Sequence, residues 1–250
     1  MSKLDGKSVL VVGASRGLGR GIAEQFAAAG ANVTALARSG PALEQLAAAI
    51  PTIGIEVADA TDSSVVDLML ERHKPDVLVL VAGAQPTMLP LQDQTWETFS
   101  RNWEVDVRMA FHWIRKALVL PLASGSQILV MSSGAAIPGS PLSGGYAGAK
   151  AMQRFLAAYA NEESARAGLG ITVSAVLPGM TPETDIGRAA IAAYADRAGV
   201  SEQQLSQRIP PPVTPLAAGD AFVALASGER NPGAYTLTGA GLQELAPGRF

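Results

Sequence analysis

The chain has 250 residues, of which 48% are hydrophobic and 16% charged, a balance that excludes disorder and predicts a compact globule with a core of its own. A formal net charge of −3 offers no long-range attraction for nucleic acid or an anionic membrane. There is no cysteine, and the two histidines, His73 and His112, stand in no metal-ligand spacing, so disulfides, thiol nucleophiles and Cys-based metal sites are excluded and no metal is expected.

The first apolar run, Val9 to Val12, follows Lys3, Asp5 and Lys7 and is too short for a signal core or a membrane span. A cytoplasmic setting is therefore expected. Further along, short β-rich apolar runs alternate with longer Ala-rich stretches. Strands are predicted at 8–12, 32–37, 52–57, 77–81, 127–131, 171–177 and 234–237. Helices are predicted at 17–29, 41–50, 63–72, 95–120, 145–168 and 215–226. The strands are nearly continuous apolar runs, as in a parallel sheet covered on both faces. Repeated βα units imply right-handed crossovers and a doubly wound α/β sheet with helices on both faces, in a single domain over residues 1–250. Segment 183–212 breaks this rhythm with two short helical patterns before Pro210-Pro211-Pro212. It reads as a substrate-loop insertion over the C-terminal edge of the sheet, where open α/β folds bind ligands.

The first strand runs into Gly13-Ala14-Ser15-Arg16-Gly17-Leu18-Gly19 and then a helix. Small residues let the backbone approach a pyrophosphate, and a helix N-terminus offers free N–H groups and the positive end of a dipole. Farther on, Tyr146 and Lys150 stand four apart, which puts both side chains on one helix face. Ser133 lies just past the 127–131 strand. A phenol, an ammonium and a hydroxyl that converge make a proton-transfer device. A tyrosine ordinarily ionises near pH ~10, so using it as a base near neutrality requires stabilised phenolate. One cation ~4 Å away at an effective dielectric of ~20 supplies roughly 4 kcal/mol, and Lys150 is placed to be that cation.

Gly13, Gly17 and Gly19, with Tyr146-x-x-x-Lys150, resemble the classical short-chain dehydrogenases/reductases. Asp59, Ala82-Gly83, Pro178-Gly179 and Thr238-Gly239 extend the resemblance over essentially the whole chain. The resemblance implies a single Rossmann-type domain with seven parallel strands and NAD(P)(H)-dependent interconversion of alcohol and carbonyl. It casts Tyr146 as the acid/base, Lys150 as its electrostatic support and ribose ligand, Ser133 as the holder of the substrate oxygen and Asp59 as an adenine contact. It also implies a homo-oligomer, a tetramer or dimer, through the helices at 95–120 and 145–168.

Cofactor choice follows from charge. Leu36-Ala37-Arg38-Ser39 holds no carboxylate where an acidic residue would bind ribose hydroxyls and repel a 2′-phosphate. Arg38, partnered by Arg16, suits that phosphate, so NADP(H) is expected. Some positions depart from the family. Asp106 stands where the asparagine of the family's catalytic set is usual, so a group that accepts but does not donate when ionised replaces an amide; one option open to it is an ion pair with Lys150. Asn102, four residues earlier, is a possible substitute. Leu80-Val81-Ala82-Gly83 replaces Asn-Asn-Ala-Gly. These departures also motivate an alternative, a non-catalytic NADP(H)-binding sensor or partner protein. The candidate substrate wall (84–89, 134–142, 180–184 and the insertion) is mostly small or apolar, which favours an uncharged or weakly polar carbonyl or alcohol.

Overall fold

Alternation along the first strand shows how the molecule is built. In β1 (Ser8–Val12), Val9 and Val11 enter one hydrophobic cluster while Leu10 and Val12 enter another, all of them fully buried. A strand that buries both faces must carry helices on both sides of its sheet. The structure, a computed structural model, describes residues 4–120 and 122–246.

The elements follow in chain order. After β1 come α1 (Gly17–Ala28), β2 (Asn32–Ala37), α2 (Gly40–Ala49), β3 (Gly54–Val57), α3 (Ser63–His73) and β4 (Val77–Leu80). Next are α4 (Trp96–Asn102), a π-helical turn (Trp103–Val107), α5 (Arg108–Val119), β5 (Gln127–Met131) and α6 (Gly144–Ala167). The chain continues with β6 (Thr172–Pro178), α7 (Asp185–Ala198), α8 (Glu202–Ser206), α9 (Pro215–Ala226), β7 (Ala234–Thr238) and β8 (Gly241–Glu244). The strand order is β3-β2-β1-β4-β5-β6-β7-β8. All neighbours pair in parallel except β7 and β8.

Three differences from the sequence reading have local causes. The antiparallel β8 follows Thr238-Gly239-Ala240-Gly241, where Gly241 takes φ +105, a backbone region closed to most side chains, and turns the chain back beside β7. The long helix at 95–120 is interrupted by the π-turn, so the residues on either side of it are not in simple 3.6-residue register. Finally, β3 starts at Gly54, because Pro51 and Thr52 form a turn.

Close packing sets two helix positions. A Cβ on Gly21 would overlap the Pro215 carbonyl, and one on Gly219 would overlap Gln25, so α1 and α9 cross at backbone distance. A Cβ on Gly145 would overlap the Phe99 carbonyl, which seats the start of α6 on α4 immediately before Tyr146. Trp113, fully buried, donates its indole N–H to the Ala60 carbonyl at 2.9 Å and joins α5 to the loop after β3.

Strand order reverses between β1 and β4, and a crevice opens there at the C-terminal ends of the strands. The loop after β1 and the segment Val81–Gly83 after β4 flank that crevice.

Candidate active site

The loop after β1 is shaped by Gly13, whose φ of +102 and close approach to Ala82 leave no room for a side chain. The chain then passes through Arg16, in extended conformation (φ −161), into α1. Arg16 makes no side-chain cap, and the first turn holds no acidic residue, so the N–H groups and dipole of α1 face the crevice without a built-in counter-charge. Gly19 packs so tightly on Gly13 that any Cβ would overlap the Gly13 carbonyl. An anion-binding turn has this form, and the residues fit a dinucleotide pyrophosphate.

One cavity of about 560 Å³ lines the crevice. It gathers Gly13, Ser15, Arg16, Gly17, Leu18 and Gly19 from the first loop. Arg38 enters from the end of β2, Asp59 from the end of β3, and Ala82 and Gly83 from the end of β4. Ser133, Tyr146, Lys150, Asp106, Pro178 and Gly179 complete the set. These catalytic and cofactor candidates from the sequence border one space, whereas Asn102, Gly239 and most of the candidate substrate wall are not among its lining residues.

At the β2–β3 end, Arg38 is exposed. Asp59 accepts from the Thr61 backbone N–H at 2.9 Å and the Thr61 hydroxyl at 2.8 Å. Those bonds, with the charge of Arg38 adding to them, hold its carboxyl below the usual carboxylate range. The cap of α3 is Asp62, which accepts from Ser64 N–H at 2.8 Å, so Asp59 is free of that task. The Arg16 guanidinium pairs with Asp185 in the first turn of α7, at 2.7 Å. Arg188 also bonds Asp185, and its guanidinium donates to the Glu183 carbonyl at 3.1 Å.

At the other end, Ser133 accepts from the Ala135 N–H at 3.2 Å, a bond that does not use its own hydroxyl hydrogen. Ser132 is buried and donates to the Lys150 carbonyl at 2.7 Å, so its hydroxyl is committed to holding β5 against α6. Tyr146 is partly exposed to the cavity, and the Lys150 ammonium lies 5.6 Å from its ring centroid.

Asp106, on the π-turn, is buried and lies 3.1 Å from the Lys150 ammonium through Oδ2. Its Oδ1 accepts from Ala84 N–H at 2.8 Å and from the Asn102 amide at 3.4 Å, while that amide also donates to the Ala84 carbonyl at 2.8 Å. Asn102 thus buttresses the carboxylate without replacing it. A Cβ on Gly83 would come within 2.8 Å of Oδ2, so Gly83 makes room for the charge.

Several site groups carry weak sequence signals. Gln153 is fully buried, accepts from Lys150 at 2.9 Å and donates to the Asp106 main-chain carbonyl at 3.0 Å. A polar residue three positions after Lys150 on a small-residue helix face was the available clue. Thr184 caps α7 by accepting from Gly187 N–H at 3.1 Å, and its methyl borders Gly17. Tyr194, on α7, bonds Ser140, which bonds Ser143 at 2.6 Å, tying the insertion to the segment after β5. Leu89 N–H donates to the Leu142 carbonyl at 2.8 Å and joins the two candidate wall segments. These partners are distant in sequence, and no spacing announces them.

A family model described as short chain dehydrogenase matches residues 7–195. The chain belongs to the short-chain dehydrogenase family. Members of this family are oxidoreductases that use nicotinamide cofactors. Among curated relatives, it is 31% identical over 189 residues to an uncharacterized oxidoreductase, YhxD, of Bacillus subtilis, a match covering 71% of this chain and 62% of that protein. It is 32% identical over 197 residues to the 3-oxoacyl-(acyl-carrier-protein) reductase FabG of Escherichia coli, covering 74% and 77%. A 34% identity over 200 residues links it to a short chain dehydrogenase of Pseudocercospora fijiensis, covering 74% and 62%. The chain thus spans about three-fifths of the length of several curated relatives it matches. The crystal structure of a short chain dehydrogenase from Mycobacterium avium superposes with TM-score 0.77 at 22% identity, covering 100% of this chain and 88% of that one. That likeness concerns the fold. Among the described residues, no helix is long and apolar enough to cross a membrane, and no cluster of three or more His, Cys, Asp or Glu side chains forms a metal site.

Proposed function

We propose that this chain is an NADP(H)-dependent oxidoreductase that interconverts a carbonyl and an alcohol, with Tyr146 as acid/base. The observation that carries this reading is the convergence of Tyr146, Lys150 and Ser133 in one cavity with the uncapped N-terminus of α1 and the exposed guanidinium of Arg38. The glycine loop would hold the pyrophosphate, Arg38 the 2′-phosphate, and Asp59 the adenine end. Ala82, Gly83, Pro178 and Gly179 would line the nicotinamide half. The bound nicotinamide supplies or accepts the hydride.

The chain's own groups handle the oxygen and the proton. Ser133 donates its hydroxyl hydrogen to the substrate oxygen and stabilises charge developing there. Tyr146 gives its phenolic proton to that oxygen in reduction and takes it back in oxidation. Lys150 holds positive charge near the phenol. The wall segments are mostly small or apolar, which suits an uncharged or weakly polar ketone, aldehyde or alcohol. Residues 1–250 act as one cofactor-binding domain in this reading, with the 183–212 insertion covering the substrate. Exposed Trp96, Trp103 and Phe111, with Tyr159 on α6, support self-association through those helices, and a cytoplasmic setting fits the reading.

The test is NADPH and NADH oxidation against a panel of ketones and aldehydes, with NADP⁺ and alcohols as the reverse assay. Turnover with NADPH preferred is expected. Tight NADPH binding with no turnover on any member of the panel would instead mark a sensor on this fold.

A further inference from the structure

A deeply buried ion pair lies beside the phenol that the proposed function uses, and that reading gives its carboxylate, Asp106, no part. Among the described residues, Lys150 and Asp106 form the one ion pair in which both side chains are almost fully enclosed, at 6% and 1% exposure. The ammonium has three protein oxygens within 3.2 Å. It donates to Gln153 Oε1 at 2.9 Å and to the Met131 carbonyl at 3.2 Å, and Asp106 Oδ2 faces it at 3.1 Å. Oδ2 makes no aligned hydrogen bond, so its part is to neutralise charge. Gln153 clamps the arrangement from the other side, because its amide N–H donates to the Asp106 main-chain carbonyl on the π-turn.

We propose that Asp106 and Gln153 are positioning residues that hold Lys150 in a pre-bonded ion pair whose opposed charges leave little net field at Tyr146, so that the site works chiefly as a proton donor for carbonyl reduction. This rests on the assignment of Tyr146 above. An isolated ammonium near a phenol favours phenolate, and a carboxylate in contact with that ammonium opposes much of the effect. With two of its three N–H donors already committed to protein oxygens, Lys150 serves the site as a fixed support more than as a ligand.

Among the described residues, the other charges on the elements around Lys150 are at least partly exposed or paired elsewhere. On α4, the π-turn and α5, Glu97, Arg101, Glu104, Arg108 and Arg115 are exposed, and Lys116 pairs outward with Asp67. His112 on α5 is partly exposed and packs at a tilt against Phe111. β5, β6 and the turn Gly134–Ala136 contain no titratable side chain. On α6 itself, Arg154 lies over Phe155. Arg16 is paired with Asp185, and Glu183, Arg38 and Asp59 border the same cavity.

The test follows phenolate absorbance near ~295 nm on raising pH in the cofactor-free protein, with the Tyr146→Phe trace subtracted to isolate Tyr146. Asp106→Asn removes the negative charge and keeps the shape, and its midpoint should fall by about one pH unit. Gln153→Glu adds a negative charge from a different element, and its midpoint should rise. The ratio of alcohol oxidation to carbonyl reduction at neutral pH should rise several-fold in Asp106→Asn. Midpoints that do not move in either folded variant overturn the proposal. Because the absorbance measurement needs no substrate, it decides the charge question even if no carbonyl is turned over, and absent turnover speaks against the proposed function alone.

Discussion

The two ends of the cavity use charge in opposite ways. At the end beside Tyr146, Lys150, Asp106, Asn102 and Gln153 are buried and locked by hydrogen bonds across the π-turn, α6 and β5. Around the first loop and the ends of β2 and β3, Arg16, Arg38 and Asp59 are exposed, and Arg16 is held by a solvent-facing partner, with side-chain exposures of 74% and 43% for Arg16 and Asp185. Buried charges are expensive to rearrange and so define a fixed chemical environment. Exposed charges are screened and exchange partners easily, so they suit recognition of a ligand that arrives and leaves.

This contrast predicts unequal consequences of mutation. The largest effect belongs to Lys150→Met, which strands a buried carboxylate. Denaturant unfolding should show a loss of about 3–5 kcal/mol, together with collapse of turnover. A variant as stable as the parent would break the distinction between the two ends. Next comes Arg38→Asp, which should leave the unfolding midpoint near that of the parent while moving the NADPH-to-NADH preference by roughly tenfold or more, about 1.4 kcal/mol. An unchanged preference would remove Arg38 from phosphate recognition. The smallest effect is expected for Asp185→Ala. Releasing Arg16 should tighten NADPH a few-fold at low salt, leave NADH unaffected, and lose the difference as ionic strength rises. Equal gains for both cofactors would mean that Asp185 acts on the pyrophosphate and not through the 2′-phosphate.

The same contrast explains what was legible in the sequence. The strands were readable because both faces of β1, β4 and β5 are apolar, and Tyr146 and Lys150 because a four-residue helical spacing announces a shared face. The glycine loop was readable because close backbone approach at Gly13 and Gly19 excludes every other residue. The Lys150–Asp106 pair was foreseen only as one option at a substituted position. Its clamp by Gln153 was not, because it depends on the π-turn, which shifts the register of 103–107 and turns the Asp106 carbonyl toward α6. The Arg16–Asp185 pair joins residues 169 apart and depends on where the α7 cap places Asp185, a matter of loop geometry that carries no periodic signal. β8 escaped for a related reason, since a short exposed strand of Gly, Leu, Gln and Glu shows no apolar run.

The central claim is that Tyr146 moves the proton. It is tested most directly by comparing the parent and Tyr146→Phe for single-turnover NADPH oxidation with a carbonyl substrate of the parent, alongside NADPH binding by fluorescence. The account predicts that the variant binds NADPH as the parent does and loses at least about a hundredfold in rate, the lower range for removal of a general acid. A variant that keeps the parent's rate would contradict it.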